Sequence, residues 1–122
     1  MGEEKSCAAL GSHILLEFHS CSANLKDSAK VREILLGAAK VAHAHIVDSF
    51  FHQFNPHGVS GVIVISESHF AIHTWPEHNY AAIDLFSCSD DLLAEDAVKF
   101  LKEAFGPKSV SVLKLDRGNL SA

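Results

Sequence analysis

Glutamate, serine, histidine and cysteine fall close together between Gly58 and Cys88, in the segment GVSGVIVISESHFAIHTWPEHNYAAIDLFSC. An apolar run ends in Glu67-Ser68-His69, His73 follows five residues after Ser68, and Cys88 follows twenty after it. A sheet segment has little packing reason to end in Ser-Glu-Ser-His. A hydroxyl, an imidazole and a thiol are the groups that attack carbonyls and move protons near neutrality. A serine hydrolase would carry a Gly-x-Ser-x-Gly elbow or a Ser-x-x-Lys motif, and neither is present. Taken alone, Ser68 reads as a serine at a strand end or turn, where serines are common. Cys88 alone reads as a small buried hydrophobe, and so do Cys7 and Cys21.

Metal chemistry is not expected. His69 and His73 are four apart, which on a helix would suggest a metal pair. Their surroundings are strand-like, and four residues of strand span ~13 Å, too far for one ion. The nine histidines make no His-Glu-x-x-His pattern. His13, His19, His43 and His45 read as hydrogen-bonded histidines at polar edges. The three cysteines sit at no metal or redox spacing. With an odd count and no segment that reads as a signal peptide, reduced thiols in a cytoplasm-like compartment are expected.

The elements that must position these residues follow from periodicity. His13–Phe18 reads as a first strand, after polar, frayed residues from Met1 to Ser12. From Ser28 to about Ala44, apolar residues recur at Val31, Ile34, Leu35, Ala38, Val41 and Ala42, the spacing of an amphipathic helix. Strands are expected at His45–Phe54, Val59–Ser66, His69–Trp75 and Tyr80–Ser87, with turns at Asn55–Gly58 and Pro76–Asn79. A second helical stripe runs from Leu92 to Phe105 and stops at Gly106-Pro107. Val110–Leu115 reads as a last strand. Two helices among several strands, with hairpins in the middle, predict an α+β two-layer sandwich. Its sheet is mainly antiparallel, with both helices on one face. The other face then needs a cover, which a second copy of the chain could supply.

Composition narrows the partners. At 122 residues the chain is one domain, and its 48% hydrophobic content is ordinary for a globular protein. The formal net charge of −5 and the lack of a basic stripe argue against nucleic acid. No apolar run reaches membrane-spanning length.

The Ser-Glu-Ser-His motif, followed by IHTWPE and later by Cys88, resembles the core of the small prokaryotic S-adenosylmethionine decarboxylases, which depend on a pyruvoyl group. GSHILLEFHSC resembles that family's first strand, and SFFHQFNPHGVSG its approach to the central sheet. The likeness covers residues 11–116, with no departure at the positions that matter for self-processing. It implies that the chain cuts itself between Glu67 and Ser68, giving residues 1–67 and 68–122, and that Ser68 becomes the pyruvoyl cofactor, without a metal. It implies that His73 and Ser60 assist processing and that Cys88 is the catalytic acid. It also implies that Phe54 stacks on adenine and that Glu77 binds the ribose hydroxyls. A homodimer with sites at the subunit interface, a cytoplasmic setting and a role in spermidine synthesis come with it.

These roles are chemically coherent. Attack by the Ser68 hydroxyl on the Glu67 carbonyl turns an amide into an ester, whose carboxylate leaves far more readily. An imidazole such as His73 suits the proton abstraction that expels it, and Ser60 could hydrogen-bond the developing oxyanion. A free thiol is mostly protonated at neutrality and can return a proton to the substrate. Simpler readings stand beside these. Aromatic residues in strands, such as Phe54, are usually core, and Glu77 in its turn could be merely solvated. The electron sink does not identify the side chain it serves. Arginine or ornithine therefore remains an alternative substrate, with Asp48 or Asp84 pairing its cationic end. An unprocessed, non-catalytic homologue is a further alternative.

Overall fold

The structure, a computed structural model, describes residues 9–120. The expectations for Cys7 and for a frayed segment over residues 1–8 lie outside the described residues. Eight main elements follow in order: β1 (Ala9–His19), α1 (Ser28–Val41), β2 (Ile46–Gln53), β3 (Val59–Ile65), β4 (Ser68–Trp75), β5 (Tyr80–Ser87), α2 (Ala94–Phe105) and β6 (Ser109–Asn119). The strands form one sheet in the order β2-β3-β4-β5-β1-β6, and every neighbouring pair is antiparallel. The α+β sandwich expected from the sequence is the fold observed.

Alternation puts one face of each of the four inner strands into the core. Val59, Ile63 and Ile65 of β3, Phe70 and Ile72 of β4, Ala81, Ile83 and Leu85 of β5, and Ile14, Leu16 and Phe18 of β1 are all buried. They meet Val31, Ile34, Leu35, Ala38 and Ala39 of α1 and Ala97, Leu101 and Phe105 of α2 in one apolar cluster. Full burial of side chains of this size contributes about 1.5–3 kcal/mol each before chain entropy is counted. Thr74 and Ser87 are the buried polar exceptions among the described residues. The Thr74 hydroxyl accepts from Val59 N at 2.9 Å and donates to Leu25 O at 3.0 Å, so burial leaves it satisfied.

The helix ends have local causes. Asp27 caps α1 by accepting from Ala29 N at 3.0 Å. The helix stops at Val41, short of the expected Ala44, because His43 takes a φ of 62° that cannot continue a helix. Gly106, at φ 60°, closes α2 as the sequence predicts. Both terminal strands are longer than expected. Ala9 pairs with Asn119 and His19 with Ser109, so Ala9–Ser12 are strand and not frayed, and β6 continues past Leu115. Lys114, Asp116 and Arg117 hide the apolar alternation there. Charged residues of this kind are common on an edge strand.

The second face of the sheet carries no helix. Its large apolar side chains stay open to solvent: Phe50 is 67% exposed, Trp75 41%, Leu113 54% and Leu115 40%. Among the described residues, no helix is long and apolar enough to cross a membrane.

Candidate active site

Glu67 lies in the tight turn between β3 and β4, and Ser68 opens β4 opposite Ser87 at the end of β5. That pairing brings the next residue of the chain, Cys88, alongside. The backbone N–H of Cys88 donates to the carbonyl oxygen of Glu67 at 2.8 Å. A hydrogen bond at that oxygen polarises the carbonyl carbon and is placed to stabilise charge on the oxygen if the carbon is attacked. Ser68 itself has a φ of 151°, a conformation that L residues rarely adopt. The turn therefore holds a polarised carbonyl on one side of a peptide bond and a strained serine on the other.

The Glu67 side chain is held as firmly. His45, just ahead of β2, brings Nδ1 to 2.7 Å from Oε2, and its backbone N–H donates to Oε1 at 3.2 Å. The bond from His45 holds the Glu67 carboxyl below its ordinary value of 4.5, so it is ionised at neutral pH. Next to this turn is a cavity of about 480 Å³ lined by Cys88, Ser12, Ser87, Asp90, Lys114 and Asp116. Cys88 is exposed, so the small-buried-hydrophobe reading fails for it. That reading holds for Cys21, which is buried and whose thiol burial pushes up to about 11.

The other expected residues form a second group. Ser60 and His73 face each other across β3 and β4, with Ser60 Oγ 2.8 Å from His73 Nδ1. Trp75 lies near His73, with 6.5 Å between ring centres. Phe54 follows the end of β2, half exposed with its ring 4.5 Å from that of His52, so it is not core. Glu77 sits in a short 3-10 turn, Pro76–His78, and Oε1 is 3.0 Å from His57 Nε2. The Glu77 carboxylate thus faces the His57 ring while staying partly open to solvent.

These two groups are at opposite ends of the sheet. His73 lies five residues along β4 from Ser68, a run of ~16 Å. The expectation that His73 stands beside the scissile pair is therefore not met within one chain. The reason is strand geometry: closeness in sequence becomes distance along an extended backbone. Ser60 is carried away with its partner. Within one chain, Glu67, Ser68 and Cys88 are brought together, and so are Ser60 and His73.

Between the two ends, on the open face, lies a cluster that sequence reasoning passed over. Arg117 Nη1 donates to His13 Nδ1 at 2.9 Å, which leaves the His13 proton on Nε2, 3.6 Å from Asp84 Oδ2. His13 and His69 flank the Phe86 ring, with ring centres 5.1 and 5.5 Å away, and Arg117 lies over it at 5.4 Å. Burial and the neighbouring His13 lower the basicity of His69, while Asp84 opposes them. Asp84, one of two carboxylates that could have served an arginine or ornithine substrate, therefore already faces His13. The other, Asp48, is exposed on edge strand β2. Tyr80 donates to Glu17 Oε1 at 2.6 Å, and burial together with that bond pushes its hydroxyl up to about 12. The two hydrogen bonds, Tyr80 to Glu17 and Arg117 to His13, join residues 63 and 104 positions apart, so no local motif announces them. Among the described residues, no three metal-ligating side chains converge.

Comparison with known proteins covers nearly the whole chain. A family model described as S-adenosylmethionine decarboxylase matches residues 12–118. A Moorella thermoacetica protein named S-adenosylmethionine decarboxylase proenzyme is 50% identical over 111 residues, 90% of this chain and 89% of that one. A Thermodesulfovibrio yellowstonii protein of the same name is 47% identical over 114 residues, 93% of this chain and 84% of its own. The crystal structure of the adenosylmethionine decarboxylase from Aquifex aeolicus superposes with a TM-score of 0.85 at 36% identity, covering 93% of this chain and 94% of that one.

Proposed function

The chain belongs to the S-adenosylmethionine decarboxylase family, and from that premise we propose that it is made as a precursor that cuts itself between Glu67 and Ser68. The reaction of the mature protein is the decarboxylation of S-adenosylmethionine, which in this family feeds polyamine synthesis. One observation carries the choice of bond. The Glu67 carbonyl oxygen is held by the Cys88 N–H at 2.8 Å, next to a serine at φ 151°.

The Ser68 hydroxyl attacks the Glu67 carbonyl carbon, and the charge gathering on oxygen meets the Cys88 N–H. Collapse breaks the C–N bond and leaves Glu67 joined to Ser68 by an ester. Conversion relieves the strain at the Ser68 φ. Loss of the Ser68 α-proton to His73 then expels the Glu67 carboxylate and leaves dehydroalanine. Water replaces the amine, ammonia departs, and the second chain, residues 68–122, begins with a pyruvoyl group. Residues 1–67 form the other chain. The pyruvoyl carbonyl supplies the electron sink for loss of carbon dioxide. Cys88, exposed at the adjoining cavity, returns a proton to the substrate α-carbon. Phe54 offers an exposed ring to the adenine, and the Glu77 carboxylate accepts from the ribose hydroxyls.

His73 and Ser60 reach the scissile bond from a second copy of the chain. Packing the open faces of two sheets about a twofold axis would set the Ser68 end of one against the His73 end of the other. It would also cover Phe50, Trp75, Leu113 and Leu115. The homodimer is thus what completes each site, and a cytoplasmic setting fits the free thiols.

A competition assay tests the substrate. S-adenosylmethionine should be turned over with a much higher specificity constant than arginine or ornithine. Glu77→Gln should weaken its use by about 1.5–3 kcal/mol in kcat/KM, the range for a hydrogen bond to a charged group. Carbon dioxide from arginine or ornithine, but not from S-adenosylmethionine, would overturn the assignment.

A further inference from the structure

We propose that His45 is a positioning residue for self-cleavage, gripping the Glu67 side chain so that the carbonyl of Glu67 is presented to Ser68, with no part in the later decarboxylation. The inference rests on Glu67–Ser68 being the bond that is cut.

The contacts are reciprocal. His45 Nδ1 and His45 N take one carboxylate oxygen each, at 2.7 and 3.2 Å. In return, Ser66 N donates to His45 O at 2.8 Å. With the Cys88 N–H on the Glu67 carbonyl, residue 67 is fixed at its side chain, at the preceding amide and at its own carbonyl. A tight turn carrying a polar side chain would otherwise rotate about its own backbone dihedrals. That rotation would swing the carbonyl carbon away from the Ser68 hydroxyl, so orientation here is worth rate.

Charge gives a second reason. Attack at Glu67 builds negative charge on an oxygen of the same residue whose side chain is already a carboxylate. Left free, that carboxylate would oppose the oxyanion. His45 holds it aside and offsets its charge through the ring N–H. The Glu67 side chain is only 12% exposed, whereas the His45 side chain is 80% exposed. His45 is therefore spending its hydrogen-bonding capacity on one carboxylate rather than filling core space.

The two stages separate cleanly. No reacting atom of the decarboxylation belongs to Glu67, which ends the other chain once cleavage is complete. Removing the grip should slow the cut and leave the mature enzyme alone. Because the His45 ring is mostly exposed, its removal leaves the apolar core untouched.

The test follows freshly synthesised wild-type, His45→Ala and His45→Asn precursors by intact mass over time. Each cleaved fraction is then assayed with S-adenosylmethionine per pyruvoyl-bearing chain. His45→Ala should cleave about tenfold more slowly, the loss of one charge-assisted hydrogen bond at a partly exposed site. His45→Asn keeps an N–H donor near the Nδ1 position and should recover to within about threefold of wild type. For all three, kcat and KM of the cleaved fraction should agree within about twofold. Cleavage of His45→Ala at the wild-type rate overturns the proposal. An asparagine variant as slow as alanine does so too, as does decarboxylation that falls in step with cleavage. A wild-type precursor cut at another bond, or not cut, would instead remove the underlying reading of the site.

Discussion

In the proposed scheme Cys88 serves two stages through two different atoms. Its backbone N–H holds the Glu67 carbonyl, while the residue, with an exposed free thiol, lines the neighbouring cavity. Substitution should separate them. Cys88→Ala keeps the N–H, so the precursor should still be cut, yet turnover should fall by about 10²-fold, the low end for loss of a general acid. Near wild-type turnover with clean product would remove the thiol from the site. Iodoacetamide at neutral pH should label Cys88 and spare Cys21, whose thiol is buried and pushed up to about 11. At this scale the candidate site was legible only as a motif, with Ser68, His73 and Cys88 singled out together by the resemblance, since Ser68 and Cys88 taken alone read as ordinary residues. The sequence was silent where a backbone N–H acts, because every residue but proline carries one. It was silent about His45 as well. The Glu67 partner lies 22 residues away, and nothing in an isolated histidine says which carboxylate it will meet.

Among the elements, strand alternation was the strongest signal. β5 runs from Tyr80 to Ser87 as expected, and β2, β3 and β4 shift by only a residue at their ends. What periodicity does not give is which ends of the strands meet. Counting ~3.3 Å per residue already separates His69 from His73, and the same count separates Ser68 from His73. Adjacency in the motif obscured it. β3 also depends on a close approach that its sequence hints at only through a glycine. Gly61 pairs with Phe51 of β2, and the Phe51 ring fills the space a side chain at residue 61 would need. Gly61→Ala should force that ring aside and cost about 1–3 kcal/mol of stability, read from the denaturant midpoint. An unchanged midpoint would show that the β2–β3 contact is looser than the structure draws it.

For the whole molecule, the open sheet face and the split site point the same way. A two-layer fold of this size covers only one side of its sheet, and the candidate residues divide between opposite ends of that sheet. Complementation tests whether a second copy unites them. Ser68→Ala and His73→Ala chains should each remain uncut when made alone. Made together, they form mixed dimers with one intact site, pairing Ser68 of the His73→Ala chain with His73 of the other. About half of the His73→Ala chains should then be cleaved, the statistical share for random pairing of a twofold dimer. No cleavage in the mixture would mean that each chain must process itself unaided. From two helices against one sheet, the sequence foretold an uncovered sheet face. It did not foretell the split of the candidate residues, because that depends on where both ends of the sheet lie.

Intact mass of the purified protein after prolonged incubation, beside the Ser68→Ala variant, bears most directly on self-cleavage. Wild type should give two chains, residues 1–67 and 68–122, the second blocked at its amino terminus by a pyruvoyl group. Ser68→Ala, with no hydroxyl to form the ester, should give one full-length chain. A wild-type protein that stays full-length, or an alanine variant that splits at the same bond, would contradict cleavage through Ser68.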